Sequence, residues 1–336
     1  MKWFLLLASC AVLHGHTTTD LQVGHRTSPL GLDDAAPRLS WRLDGDEPGL
    51  AQTAFQILVA TSPDKLEDGK PDLWNSGRTE GNSTQVIYAG GRLPSSALVY
   101  WKARTWAGDE ASEWTEVQRF VTGRIAAVPM QPFISFKDES PFHKEREKLH
   151  LPPARYYRST FSPEKKVVRA VAHASALGIY ELHMNGSKVG DAYFAPGWTN
   201  YRKRAYYNTY DLTPMLADGR NAIGAVVADG WYAGYVGYGK LVGYGPHKTG
   251  RSIYGKTPAV MVEVHLTYED GSTEVIGTDE TWKTSTGPEL EADFLMGESY
   301  DARKEMPGWA TAGFDDSAWD PAIYAEDNGS VIQPFV

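Results

Sequence analysis

Between Tyr180 and Met184 apolar and polar residues alternate strictly, and Asn185-Gly186 follows at once. Tyr180, Leu182 and Met184 fall on one face at period two, with Glu181 and His183 on the other, which is the pattern of a half-buried strand. Asn-Gly tolerates positive φ at both central positions and so closes a tight hairpin rather than continuing a helix. A return strand is expected from about Val189, and Pro196-Gly197-Trp198-Thr199 should interrupt the pairing before an aromatic-rich strand from Tyr206 to Tyr210. This stretch demands an antiparallel β-sandwich.

The same logic extends in both directions. Phe55, Ile57 and Val59, then Tyr100 to Trp106, then Phe120 and Thr122 alternate between turn signals at Ser62-Pro63-Asp64, Asp68 to Pro71, Gly90-Gly91 and Gly108-Asp109. These spacings suit a seven-stranded sandwich over residues 20–123, with Trp41, Trp74, Trp101 and Trp114 in its core. Residues 124–150 lose periodicity, gather prolines and carry the charged run His143 to Lys148, the composition of a linker or covering loop. A second sandwich is expected over 151–326. In it, Thr213 should cap a short helix with Pro214 at its first position, and Asn221 to Ala228 should be a strand buried on both faces. Residues 327–336 read as a lead-in to a further domain. The fold class is all-β, two sandwiches in series.

The N-terminus carries Lys2 and then the apolar run Trp3 to Leu13, the charge order and length of a secretory signal over residues 1–16. Export is therefore expected. Leu7-Ala8-Ser9-Cys10 also resembles a bacterial lipoprotein processing site, so a lipid anchor on Cys10 stands beside plain cleavage near Gly15. Cys10 is the sole cysteine, and a processed chain would have no disulfide, thiolate metal site or cysteine nucleophile. No other stretch approaches the roughly 20 apolar residues of a transmembrane helix. A net charge of −9 argues against a nucleic-acid partner.

Several chemistries find no footing. Gly237-Tyr238-Gly239-Lys240 lacks the third glycine and the βαβ setting of a dinucleotide fingerprint, and Gly297 to Asp301 departs from a nucleophile elbow at its fifth position. The nine histidines show no paired zinc spacing, and His173, His183 and His265 read as satisfied or exposed strand residues. A calcium site drawing on Asp191, Asp229, Glu298 and Asp301 fits better, since hard cations take loop oxygens; solvated loop carboxylates are the plainer reading. Acids are plentiful, yet no spacing selects two as a glycosidase pair. The loop from Asp229 through Gly255 is dense in glycine and tyrosine, suited either to stacking on sugar rings or to packing on itself over a sheet edge.

Taken in order, these motifs resemble a known family. Pro37 to Trp41, Gln52 to Ile57 and Tyr100 to Trp106 are similar to the N-terminal fibronectin-III-like domain of bacterial α-L-rhamnosidases. Gly178 to Gly186, Pro196 to Thr199, Asp229 to Tyr232 and Gly297 to Arg303 look like that family's N-terminal jelly roll. The resemblance implies hydrolysis of terminal α-L-rhamnosyl groups, with inversion, by two glutamates in an (α/α)₆ barrel that follows the β-domains. No long helices of period near 3.6 are found here, so this sequence is expected to be the accessory, substrate-recognising part, with the catalytic domain absent from it. An exported, non-catalytic carbohydrate-binding or adhesion protein is the alternative. By resemblance, rhamnose-containing glycosides are the partners and calcium would sit near Asp191, with the loop carboxylate Asp229 as the other expected metal ligand, while Trp198, Trp231, Tyr232 and Asp191 would contact sugar. Packing of the same aromatics against the absent barrel is the competing role.

Overall fold

A computed structural model describes residues 15–67, 69–125, 129–138, 149–237 and 248–335. Residues 1–14 of the stretch expected to be a secretory signal, Cys10 among them, the charged run 143–148 and the loop centre from Tyr238 to Lys240 lie outside the described residues. The chain forms two compact units, residues 1–126 and 127–336.

In the first unit, strands Thr17–Val23, Arg38–Asp44 and Gln85–Ile87 make one antiparallel sheet. The second sheet is built on Ala54–Ala60 paired with Leu98–Ala107, with four shorter strands at their margins. Three of these strands are two residues long, and among the described residues the sandwich has nine strands where seven were expected. Its core joins Leu39, Trp41, Ile57, Val59, Trp101 and Phe120. Trp74 packs at that core's margin, while Trp114 lies on the other face beneath the Arg104 guanidinium, 4.6 Å from its ring centroid. The alternation of Leu98–Ala107 explains the split: Trp101 points inward, and Lys102 and Arg104 point out to cover Trp114.

The second unit is the larger sandwich. One sheet runs Ile323–Tyr324, Ile134–Ser135, Ala259–Tyr268, Val167–Leu177, Arg204–Asp211, Val331–Pro334, with Thr273–Gly277 paired to Ala259–Tyr268. The other runs Ser187–Lys188, Ile179–Met184, Asn221–Ala228, Arg155–Phe161, Lys283–Thr286, Asp320–Pro321. Between them the core is built from every second residue: Ala170, Ala172 and Ala174; Val260, Val262 and Val264; Leu182 and Met184; Ile223, Ala225 and Val227. The alanines and valines lie side by side on paired strands of one sheet, across from the larger Tyr157, Tyr180, Leu182 and Met184 of the other.

The Asn185-Gly186 hairpin forms as the sequence requires, with φ of 48° and 87° at the two turn residues and Met184 opposite Ser187. Its return strand is Ser187–Lys188, starting two residues earlier than expected. Thr213 does not cap a helix. It is the first residue of a 3₁₀ turn, Thr213–Met215, and its hydroxyl accepts from the Ala170 amide of the neighbouring strand instead. Strand residues also occur in both stretches read as connections: Ile134–Ser135 bridges Val260 to Tyr324, and Val331–Pro334 lies parallel to Arg204–Asp211. Both are edge or bridging strands too short for a periodic signature.

Candidate functional site

The outer face of the six-stranded sheet carries a groove of about 530 Å³. That size suits a small polar ligand. Its floor consists of residues that alternate away from the core: Tyr156 on Arg155–Phe161, Glu181 and His183 on Ile179–Met184, and Val226 on Asn221–Ala228. One wall is the hairpin of Glu289–Asp293 with Gly297–Tyr300, which supplies Glu289, Phe294 and Glu298; another is Trp309. Tyr193 and Phe194, both exposed, stand at the margin.

Trp309 lies against the sheet because Gly224 leaves room for it. A Cβ at Gly224 would come within 2.5 Å of the indole Cζ3 and 2.6 Å of the Tyr157 carbonyl. Edge contacts with Tyr156 at 4.9 Å and a tilted contact with His183 at 5.0 Å hold the ring. Beneath it, buried Arg158 donates from Nε to the Trp309 carbonyl and from Nη2 to the Thr311 carbonyl, each at 2.8 Å, and pairs with Asp316 through Nη1. A guanidinium fork is suited to two carbonyls of one turn.

The polar part of the groove is acidic. Tyr156 donates its hydroxyl to Glu289 at 2.8 Å, and burial together with that carboxylate drives its pKa far upward, so it remains a donor. Glu181 pairs with Lys188 at 3.1 Å. Burial lowers the His183 pKa, partly offset by Glu181 at 4.0 Å, which favours the neutral imidazole. The groove thus offers flat aromatic faces, carboxylate acceptors and one imidazole able to donate or accept.

Beside the groove stands a second aromatic group. Trp198 and Trp231 are parallel, with 9° between planes and centroids 6.1 Å apart; Trp198 is 54% exposed and Trp231 half-buried. Phe294 approaches Trp231 at 4.7 Å and Phe194 at 6.1 Å, so the two groove-lining phenylalanines connect this pair to the groove. The structure therefore brings Trp198 and Trp231 together. Asp191 is exposed on the turn after the hairpin and belongs to no group of three or more metal-type donors among the described residues.

Two expected site residues point elsewhere. Tyr232, one position after Trp231 on the single-turn helix Gly230–Ala233, is buried in a cluster at whose margin Trp231 also packs, and it meets Tyr201 edge-on at 5.4 Å. At 7% exposure and outside the groove lining, Tyr232 offers no face to a ligand there. Asp229 is buried and pairs with Arg251, which also donates to the Ala233 and His150 carbonyls. Burial raises Asp229 to about 7, Arg251 opposing and Asp293 and Asp138 adding to the shift. A carboxylate committed to a guanidinium does not fit a calcium ligand. Asp301 caps the turn Ala302–Lys304 and holds Arg303 through both oxygens, while Glu298 is exposed in the groove.

Sequence reasoning missed Tyr156, Arg158, His183, Glu289 and Trp309 as site residues. The one available signal was the period-two pattern, which sets Glu181 and His183 on the face away from the core; the approach of Trp309 is a tertiary event with no local trace.

Among the described residues no helix is long and apolar enough to cross a membrane. The alpha-L-rhamnosidase N-terminal domain matches residues 165–335, and a Rha78A-like, N-terminal immunoglobulin domain matches residues 18–126. An alpha-L-rhamnosidase of Formosa agariphila is 35% identical over 300 residues, which is 87% of this chain and 31% of that protein. Among solved structures, an alpha-L-rhamnosidase from Dictyoglumus thermophilum superposes with a TM-score of 0.81 at 32% identity, covering 96% of this chain and 36% of that one. A Streptomyces avermitilis alpha-L-rhamnosidase complexed with L-rhamnose gives a TM-score of 0.78 at 27% identity, covering 93% and 45%. The chain spans about a third of the length of the curated relatives it matches.

Proposed function

Because the chain belongs to the family of alpha-L-rhamnosidase N-terminal domains, we propose that it is the accessory, substrate-recognising part of an α-L-rhamnosidase-like glycoside hydrolase. The observation that carries this reading is the groove, in which Trp309, Tyr156 and Phe294 meet Glu181, Glu289 and Glu298, with the Trp198–Trp231 pair alongside. A 6-deoxyhexose has a methyl group and ring C–H groups that pack on aromatic faces, and hydroxyls that donate to carboxylates. The groove supplies both kinds of partner. Hydrolysis of terminal α-L-rhamnosyl groups is proposed for the whole protein, and its catalytic acids are not assigned to any residue of this chain.

Calcium does not enter this reading through Asp229, which Arg251 holds. Export, inferred from the apolar run after Lys2, belongs to the same reading, and metabolic labelling with a fatty acid tests acylation of Cys10. Recognition is tested by calorimetric titration of the purified chain with L-rhamnose and with a rhamnose-containing polysaccharide, with and without calcium, using galactose as control. Saturable heat with the rhamnosides alone is expected. No heat under any condition would overturn the reading in favour of a scaffold or adhesion role.

A further inference from the structure

On the outer face of the seven-stranded sheet, away from the six-stranded sheet that carries the groove, His173, Glu263 and His265 form a compact cluster. In the antiparallel register His173 sits directly opposite Glu263, and His265 follows Glu263 by two residues on the same face. One donor atom from each lies within 4.8 Å of the other two. His173 and Glu263 are fully buried, whereas the His265 side chain is 24% exposed. We propose that these three residues bind a divalent transition metal of the zinc class, with a water in the fourth position on the exposed side of His265.

The donor set argues for this class of ion. Two imidazoles and a carboxylate suit zinc, whereas calcium and magnesium take oxygen ligands. Tetrahedral zinc with bonds of about 2.0–2.1 Å places its ligands roughly 3.3 Å apart. Glu263 Oε1 and His265 Nε2 are already 2.9 Å apart, and the widest pair must close by only about 1.5 Å, a side-chain adjustment. The supporting contacts are also in place. His173 Nδ1 meets the Thr209 hydroxyl at 2.9 Å on the adjacent strand, and Glu263 Oε2 accepts from the Gln131 amide at 3.2 Å while its Oε1 faces His265. Second partners of this kind fix ligand orientation in metal sites. Tyr207, on the same outer face, makes a T-shaped contact with His173 at 5.2 Å.

The test uses the full chain after treatment with a chelator, titrated calorimetrically with zinc chloride and, separately, calcium chloride; cobalt(II) serves as a spectroscopic probe. One zinc per chain, no competing calcium, and the visible absorption of tetrahedral cobalt are expected. His265→Ala, at a partly exposed position that tolerates truncation, should abolish the cobalt spectrum and weaken zinc by at least about tenfold, and Thr209→Val should weaken it by roughly 10–100-fold with an unchanged circular dichroism spectrum. Absence of zinc binding by the unmodified chain, or undiminished binding by His265→Ala, would overturn the proposal and leave the cluster as a hydrogen-bonded group within the sheet. The experiment is independent of sugar recognition.

Discussion

Arg158 donates from Nε to the main-chain carbonyl of Trp309 at 2.8 Å, and the two residues are 151 positions apart. Through this bond the sheet holds the groove wall in place. Arg158→Met would strip donors from two carbonyls and a partner from Asp316, and hydrogen bonds to a charged group contribute about 1.5–3 kcal/mol each. A loss of about 3 kcal/mol or more is expected in urea unfolding. Arg158→Lys keeps the charge without the fork and should fall between the two. If both variants unfold within about 1 kcal/mol of the unmodified chain, the anchor is not structural.

A methyl group at Gly224 acts on the same wall from the other side. Its contacts, 2.5 Å to Trp309 and 2.6 Å to the rigid Tyr157 carbonyl, force the indole out. Gly224→Ala should cost about 1–3 kcal/mol, the usual penalty of overpacking, and should lower affinity for the sugar ligand as well. Gly313→Ala is the control, since nothing lies within 4 Å of its added Cβ, and it should stay within about 0.5 kcal/mol. Thermal unfolding and calorimetry on both variants separate the two effects.

The Asp229–Arg251 pair makes stability depend on pH in an unusual direction. Asp229 is raised from 3.8 to about 7, chiefly by burial, so between those values the folded chain holds a proton that the unfolded chain releases. Its contribution is full below about pH 4, declines as pH rises through 7, and is flat above. Other carboxylates behave oppositely, so the readout is the difference between the unmodified chain and Asp229→Asn, which should shift steadily toward the variant over that window. A difference independent of pH from 4 to 8 would show that Arg251 keeps the carboxylate ionised throughout.

Much of the fold was legible because period-two alternation is written into single strands: Tyr180, Leu182 and Met184 turn inward and Asn185-Gly186 closes the hairpin as read. The site was legible only in part. Trp198 and Trp231 are large aromatics in a glycine-rich setting, and they do come together. Tyr232 shares that local signal, yet one helical turn at Gly230–Ala233 sends it into the core. Asp229 reads as a loop carboxylate until Arg251, 22 residues on, buries it. His173, Glu263 and His265 show no spacing motif because two of the three donors meet across a strand pair, and register is set by the whole sheet.

The division between Trp198 and Tyr232 gives the sharpest test of recognition. Trp198 is 54% exposed, and its ring neighbour is Trp231, so Trp198→Ala uncovers under half of one ring's surface and should cost no more than about 2 kcal/mol in urea unfolding. If the indole pair contacts sugar, the same change should weaken binding to a rhamnose-containing polysaccharide by about tenfold, equivalent to ~1.4 kcal/mol. Tyr232 is buried among Tyr201, Tyr254 and Leu177, so Tyr232→Ala should cost about 3–5 kcal/mol, as for other large aromatics cut to alanine in a core. Whatever Tyr232→Ala that remains folded should bind with little change, since Tyr232 does not line the groove. Affinity electrophoresis beside equilibrium unfolding reads both quantities. Unchanged retention of Trp198→Ala would move the sugar contact from the indole pair into the groove beneath Trp309, where Tyr156 and Glu289 become the residues to change next.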